Sequence, residues 1–315
     1  MNSLDLDVLR SALAWLGQGH AITLGTVVGT WGSSPRPPGS VMVLRDDGQV
    51  AGSVSGGCIE DDLVHRLRQG DAAFTKPTLT TYGAQAEEAQ RFGLPCGGTV
   101  RVVLEPVAGD AWLKELLEAI ELRRGIERKL DMQTGEVTLA ASAEDDRVEF
   151  DGRVLRTVHG PRRRLLVIGC GQLSRYVASM AVMLDYDVLV CDPRPEYHEG
   201  WRQLEGVTLS TTMPDDLVMA MNPGAHDAVV ALTHDPKLDD LALMEALKTP
   251  AFYVGALGSR RSNAARRERL LGFDLTASQV ERLRGPVGLD IRARTPAEIA
   301  VSIVAEMTAF RRGAP

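Results

Sequence analysis

LLVIGCGQLS, residues 165–174, decides how the second half of this chain is built. An apolar run ends in two glycines and passes into a helical pattern, the order strand, tight turn, helix that a dinucleotide fingerprint requires. Gly169 permits the turn, and Gly171 lets a phosphate approach the backbone at a helix N-terminus. The third glycine position holds Ser174. Asp192 ends the next strand-like run, 23 residues after Gly169, where an acid commonly binds a ribose hydroxyl pair. Arg194 follows it and offers the alternative, a contact to phosphate.

Working outward, DVLVCD, VTLS, DAVVALT and AFYVGALG alternate with helical stretches. Such alternation predicts a parallel sheet covered on both faces, the doubly wound arrangement, over residues 161–315. Ligands in such sheets sit beyond the carboxyl ends of the strands. Thr233-His234-Asp235 and Gly258-Ser259-Arg260-Arg261 leave strand ends and should line that crevice. Gly258, Ser259 and Arg260 suit an anionic group through N–H donors and a guanidinium. His234 is either a ligand contact or a hydrogen-bonding loop histidine. Arg266, Arg267 and Arg269 read as a solvated helix face.

Residues 1–160 lack regular alternation, so an α+β domain is expected there. Leu6, Leu9, Leu13 and Leu16 predict an amphipathic helix over 4–18, and Asp47-Gly48 predicts a hairpin turn. CIEDDLVHRLRQG predicts a helix beginning at Cys58 and stopping at Gly70. TLTTY and TVRVVLEPV are strand-like, a helix is expected over about 110–123, and KLDMQTGEVTLA and RVEFDGRVLRTV are further strand-like stretches. HGPRRR, 159–164, reads as a linker. The tail opens a last helix at Thr295-Pro296, with Glu298 three residues after the cap.

A net charge of −7 argues against a nucleic-acid binder, and no run of 18 apolar residues predicts a membrane span. The acidic, amphipathic first 20 residues do not read as a signal peptide. Cys58, Cys96, Cys170 and Cys191 form no CxxC pair, so reduced thiols in a cytoplasmic protein are expected. Two cysteines in this half and no histidine pair at ligand spacing give no expectation of zinc.

Two of those cysteines sit beside paired glycines: Gly56-Gly57-Cys58 and Cys96-Gly97-Gly98. Glycine pairs allow left-handed backbone and close approach of a bulky ligand. At Cys58 a helix N-terminus favours thiolate, whereas Glu60, Asp61 and Asp62 oppose a second negative charge. Buried turn cysteines are the plainer alternative. The proline-stiffened loop 33–39 adds the Ser34 hydroxyl and the Arg36 cation, a pairing suited to phosphate or carboxylate.

Together GTWGSSPRPPGSVMV, GSVSGGCIEDDL, LPCGGTVRVVLEP, LLVIGCGQLS, VLVCDPRPEY, ALTHDPKLDD, YVGALGSRRS and GPVGLDIRARTPAEIAVSIVAEM resemble the XdhC/CoxI family. The resemblance covers nearly the whole chain. It implies a cytoplasmic, commonly dimeric chaperone that binds molybdenum cofactor, as molybdopterin or its dinucleotide form. Such a chaperone protects the cofactor during sulfuration by a cysteine desulfurase and delivers it to an apo molybdenum hydroxylase of the xanthine dehydrogenase type. On the resemblance, Cys58 and Cys96 contact molybdenum or its terminal sulfur, thiolate being a soft ligand. Arg36 and the crevice would take the pterin phosphate or a nucleotide extension. Family members often carry His after the second glycine of the fingerprint. Gln172 stands there, which points to a neutral amide contact. Two other readings are an NAD(P)-dependent oxidoreductase, from the GxGxxS turn and Asp192, and a thiol or persulfide carrier using Cys58 and Cys96.

Overall fold

The computed structural model describes residues 3–32, 36–71, 74–83, 98–143, 147–201 and 204–313. The chain divides into two compact units, Met1–Pro161 and Arg162–Pro315.

In the first unit, five antiparallel strands pair in the order β3-β2-β1-β5-β4: β1 Ile22–Trp31, β2 Val41–Arg45, β3 Val50–Gly52, β4 Thr78–Tyr82 and β5 Thr99–Pro106. Period-two alternation sorts their side chains between two apolar layers. Val41 and Val43 face helices α1 (Ser3–Gly17) and α3 (Ala111–Glu121), through Val8, Leu9, Leu113 and Leu116. Met42 and Leu44 face the opposite way, onto Ile59 and Leu63 of α2 (Cys58–Arg68). Those two α2 residues are fully buried, each worth about 1.5–3 kcal/mol. They dock the helix by one face and leave Cys58, at its first position, exposed.

KLDMQTGEVTLA and RVEFDGRVLRTV each fold into a hairpin, β6 (Ile126–Asp131) with β7 (Val137–Ala141) and β8 (Arg147–Phe150) with β9 (Val154–His159). The Asp131 and Asp151 carboxylates accept backbone N–H groups at the two turns, which breaks each stretch in two. The hairpins join as a four-stranded sheet, β7-β6-β9-β8.

The second unit is a six-stranded parallel sheet in the order β12-β11-β10-β13-β14-β15, which is 3-2-1-4-5-6 within the unit. Its strands are β10 Arg164–Ile168, β11 Asp187–Cys191, β12 Val207–Ser210, β13 Asp227–Ala231, β14 Tyr253–Ala256 and β15 Leu283–Arg284. Leu165 and Val167 pack under α4 (Gln172–Met183) and the last helix, α9 (Pro296–Arg311). Leu166 and Ile168 pack on the other face, against α5 (Pro214–Met221), α6 (Pro236–Lys248), α7 (Arg260–Leu271) and the short α8 (Ala277–Glu281). Burial on both faces explains why these strands read as continuous apolar runs. Among the described residues, no helix is long and apolar enough to cross a membrane.

Candidate functional site

The loop between β3 and α2 is built around Glu60. Its Oε1 accepts from Ser53 Oγ at 2.7 Å, Val54 N at 2.7 Å and Ser55 N at 3.0 Å. Its Oε2 accepts from Gly57 N at 2.9 Å and from the Ser55 hydroxyl. Ser55 Oγ in turn accepts Ile59 N at 3.0 Å, satisfying a first-turn donor of α2. Burial pushes the Glu60 carboxyl up, but the Ser55 and Ser53 donors outweigh it and hold the group down at about 2. The chain bends through Gly56 and Gly57 at φ of +95° and +141°, the second all but closed to other residues. A Cβ on either would meet no described atom within 4 Å, so among the described residues the surface over both glycines is open. The exposed Cys58 thiol stands at its edge.

Ser53 also lines a cavity of about 320 Å³ together with Arg36, Ser40, Ser11, Asp5 and Asp7. Arg36 and the thiol loop are thereby brought to one region of the first unit. With two carboxylates beside the guanidinium, this wall carries donors and acceptors together and is not a purely anionic receptor. Gly98 lies buried just before β5. Ser34, Cys96 and Gly97 lie outside the described residues.

In the second unit the strand ends emerge side by side, since Ile168 pairs with Cys191 and Ala231, and Ala231 with Ala256. Gly169 is held at the switch point between β10 and β13. Its φ is +104°, and a Cβ there would come within 2.6 Å of Thr233 Cγ2. Gly171 caps α4 and is open above, with Gln172 exposed beside it. Ser174, in the third fingerprint position, is fully buried, and its hydroxyl has no partner among the described residues.

Asp192 is fully buried and its carboxylate is spent within the unit. It accepts Cys170 N at 2.9 Å, Arg194 N at 3.1 Å, and the Arg194 guanidinium through Nε at 2.8 Å and Nη2 at 2.9 Å. Burial pushes this carboxyl up, and the Arg194 and Cys170 donors bring it below its ordinary value. Arg194, its charge secured by the Asp192 hydrogen bond, stacks over Tyr197 at 4.2 Å.

The Thr233-His234 turn is held by a third buried carboxylate, Asp239. It accepts Thr233 N at 3.2 Å, Thr233 Oγ1 at 2.7 Å, His234 N at 3.1 Å and Arg266 Nη2 at 3.3 Å. His234 sits at φ +65° with its side chain exposed. Ser259 caps α7 by accepting Ser262 N at 3.1 Å, and Gly258 bends at φ +137°. Arg260 is exposed, 4.0 Å from an equally exposed Asp290.

Two arginines further along α7, Arg266 and Arg267, correct the sequence expectation. Arg266 is buried, bound to Asp240 at 2.9 Å, the Leu257 carbonyl at 2.9 Å and Asn263 at 3.0 Å besides Asp239. Arg267 donates to the carbonyls of Leu283 and Gly285, and Arg269 pairs with Asp240 at 2.7 Å. Arg266 and Arg267 tie α7 to α6 and β15 instead of facing solvent, whereas Arg269 stays exposed, as expected, while it pairs with Asp240. The thiols divide as well. Burial, reinforced by Asp192, pushes Cys170 and Cys191 up to about 12, leaving them protonated, whereas Cys58 is exposed.

Sequence reasoning missed Glu60 and Asp239 as organisers. The available signal for Glu60 was an acid at the third helical position after Gly57, half of a capping box. For Asp239 it was an acid in the first turn of a helix that starts with Asp235-Pro236.

The chain matches the XdhC and CoxI family over residues 15–83 and the XdhC Rossmann domain over residues 165–307. It is 27% identical over 313 residues to the molybdenum cofactor insertion chaperone PaoD of Escherichia coli K12, covering 96% of this chain and 88% of that one. It is 26% identical to a probable xanthine dehydrogenase subunit of Bacillus subtilis 168, covering 92% and 93%. The crystal structure of a xanthine dehydrogenase from Bacillus halodurans aligns with a TM-score of 0.76 at 25% identity, covering 99% of this chain and 96% of that one. With both of its units matched, this chain belongs to the XdhC and CoxI family.

Proposed function

We propose that this protein takes molybdenum cofactor as cargo and serves as a maturation chaperone for a molybdenum hydroxylase of the xanthine dehydrogenase type. The cargo is held while a cysteine desulfurase installs its terminal sulfur, and is then passed to the apo-hydroxylase. The protein works in the cytoplasm as a homodimer and has no turnover of its own. The observation that carries this reading is the 53–58 loop, an open glycine surface with an exposed thiol at its edge, supported from below. A thiol suits a soft, sulfur-bearing metal centre. Cys58 is one contact and Cys96 the second.

The cavity beside Ser53 supports the same reading. A pterin ring presents N–H donors and a carbonyl acceptor on one edge, which the carboxylates and guanidinium of that wall complement. The crevice at Gly169, Gly171, Gln172, Arg194, His234 and Ser259 is the place for a phosphate or a nucleotide extension. Anaerobic mixing with molybdenum cofactor, followed by gel filtration, tests the proposal. Wild type should retain cofactor and Cys58→Ser should lose most of it; no retention by wild type overturns it.

The second reading, a nicotinamide-dependent oxidoreductase, is favoured by the 3-2-1-4-5-6 strand order. Against it stands Asp192, whose four hydrogen bonds leave no acceptor for a ribose diol. Calorimetric titration with NAD(H) and NADP(H) decides it, with no heat of binding expected.

A further inference from the structure

We infer that Glu60 is the positioning residue of the thiol site: its carboxylate sets the 53–58 loop so that Cys58 and the glycine face stay presented for cargo. The inference rests on the proposed cofactor-holding role for its consequence, but not for its geometry. One side chain seven residues from Ser53 collects three backbone N–H groups and two hydroxyls. A loop with so many inward donors would otherwise bury them unpaired or turn them toward water, and either choice disorders it. The donors divide between the two oxygens. Oε1 holds the β3 side of the loop at Ser53, Val54 and Ser55, and Oε2 holds the helix side at Gly57 and the Ser55 hydroxyl.

That division gives Glu60 a role different from acid–base chemistry. Its oxygens are occupied, the group is buried, and nothing is left to exchange a proton with a ligand. What it controls is direction. With the N–H groups of Val54, Ser55 and Gly57 turned onto the carboxylate, the outer surface of the loop consists of glycine methylenes and the Cys58 thiol. Gly56 N donates to Ser53 Oγ at 2.8 Å, so the hydroxyl oriented by Glu60 fixes the remaining glycine too.

Two substitutions separate this role from general support of the fold. Glu60→Ala removes both oxygens, whereas Glu60→Gln keeps one acceptor and puts an amide donor in place of the other. The conservative variant should therefore rescue half of the loop. Amide exchange by NMR is expected to accelerate about tenfold or more at residues 54, 55 and 57 in the alanine variant. In the glutamine variant it should accelerate at 57 alone. Alkylation of Cys58 by iodoacetamide, located by peptide mass spectrometry, and cofactor retention should both follow the order alanine, glutamine, wild type in departure from wild-type behaviour.

Uniform acceleration across the first unit in both variants, or no change at 54–57, overturns the inference. Should Glu60→Ala not fold, Ser55→Ala replaces it: it removes the hydroxyl shared by Glu60 and Ile59 N and should loosen 57 and 59 while sparing 54. Loop changes as expected in a protein whose wild type retains no cofactor would sink the proposed function and leave the positioning role standing. Full cofactor retention by the alanine variant would sink the positioning role alone.

Discussion

The thiol loop of the first unit and the strand-end turns of the second are each organised by a buried carboxylate, but they balance its charge in different ways. Asp192 and Asp239 share theirs with guanidinium groups, Arg194 and Arg266, besides backbone donors. The donors to Glu60 are all neutral: N–H groups and serine hydroxyls. In the second unit the Asp239 ion pair reaches a helix 27 residues further on, and Asp192 joins the near Arg194 to a Cys170 N–H 22 residues earlier, which makes the crevice part of the core. Dipoles alone hold the thiol loop, so it is specified locally, by eight residues from 53 to 60. The same acceptor can fix a turn globally or locally, depending on whether its partners are distant or near in sequence.

The largest effect should come from cutting the global kind. Arg266→Ala leaves Asp239 buried without its cation and takes one of two guanidinium groups from Asp240, a change that typically costs about 3–5 kcal/mol. Denaturant unfolding followed by the fluorescence of Trp201, buried in the second unit, should show that loss, with the first unit's transition unmoved. A loss below about 1 kcal/mol would mean the pair is decoration on an already stable crevice.

Next comes the local kind, read through pH. Glu60 is held near 2 in the folded protein against an ordinary value of 4.5, so it binds protons less readily than in the unfolded chain. Its contribution is therefore fully present above about pH 4.5 and is lost as the pH falls toward 2. At full strength a shift of that size corresponds to about 3 kcal/mol. Denaturant midpoints of the first unit measured from pH 6 to 3 should fall in wild type, and fall less steeply in Glu60→Gln. Parallel slopes would show that other carboxylates govern acid stability.

Glycine substitutions sharpen the comparison at a smaller scale. Gly169→Ala adds a methyl 2.6 Å from Thr233 Cγ2 at a φ of +104°, combining strain with a clash, and should cost about 2 kcal/mol. Gly56→Ala meets open space at a φ of +95°, so only backbone strain of about 1 kcal/mol is expected. Thermal unfolding of the two variants should rank them in that order. The reverse ranking would place the tighter constraint in the thiol loop.

The sheet architecture was legible in the sequence because its cause is periodic. Val41 to Leu44 and Leu165 to Ile168 are each covered on both faces, so both stretches read as continuous apolar runs, and it is the regular alternation of strands with helices that sets the second unit apart. Glu60 was misjudged for a different reason. Counted by nearness, it is a charge opposing a thiolate; by direction, its carboxylate faces back into the loop. Arg266 escaped for a third reason. Its helix, RRSNAARRERLL, shows no apolar stripe, and the partners that bury it lie 26 and 27 residues earlier on another helix. Pattern reveals burial of apolar groups; burial of a charge depends on a distant partner that no local pattern contains.

Arg260 supplies the smallest effect and the cleanest control. It belongs to the same helix as Arg266, six residues earlier, and shares its charge and its run of basic neighbours. Yet its side chain is 89% exposed, and its carboxylate neighbour, Asp290, lies 4.0 Å away and is itself 81% exposed. Exposed pairs at that distance are screened by water and salt and gain little from contact. Arg260→Ala should leave the unfolding midpoint of the second unit within error of wild type at both low and high salt. Any retained anionic cargo that reaches the Ser259 turn should nevertheless bind the variant more weakly, and the deficit should shrink as salt rises. Unchanged stability with weakened, salt-sensitive binding would mark Arg260 as a ligand-facing charge and Arg266 as a structural one, on a single helix. A stability loss at Arg260 comparable to that at Arg266 would erase the distinction between the two arginines and the contrast drawn from it.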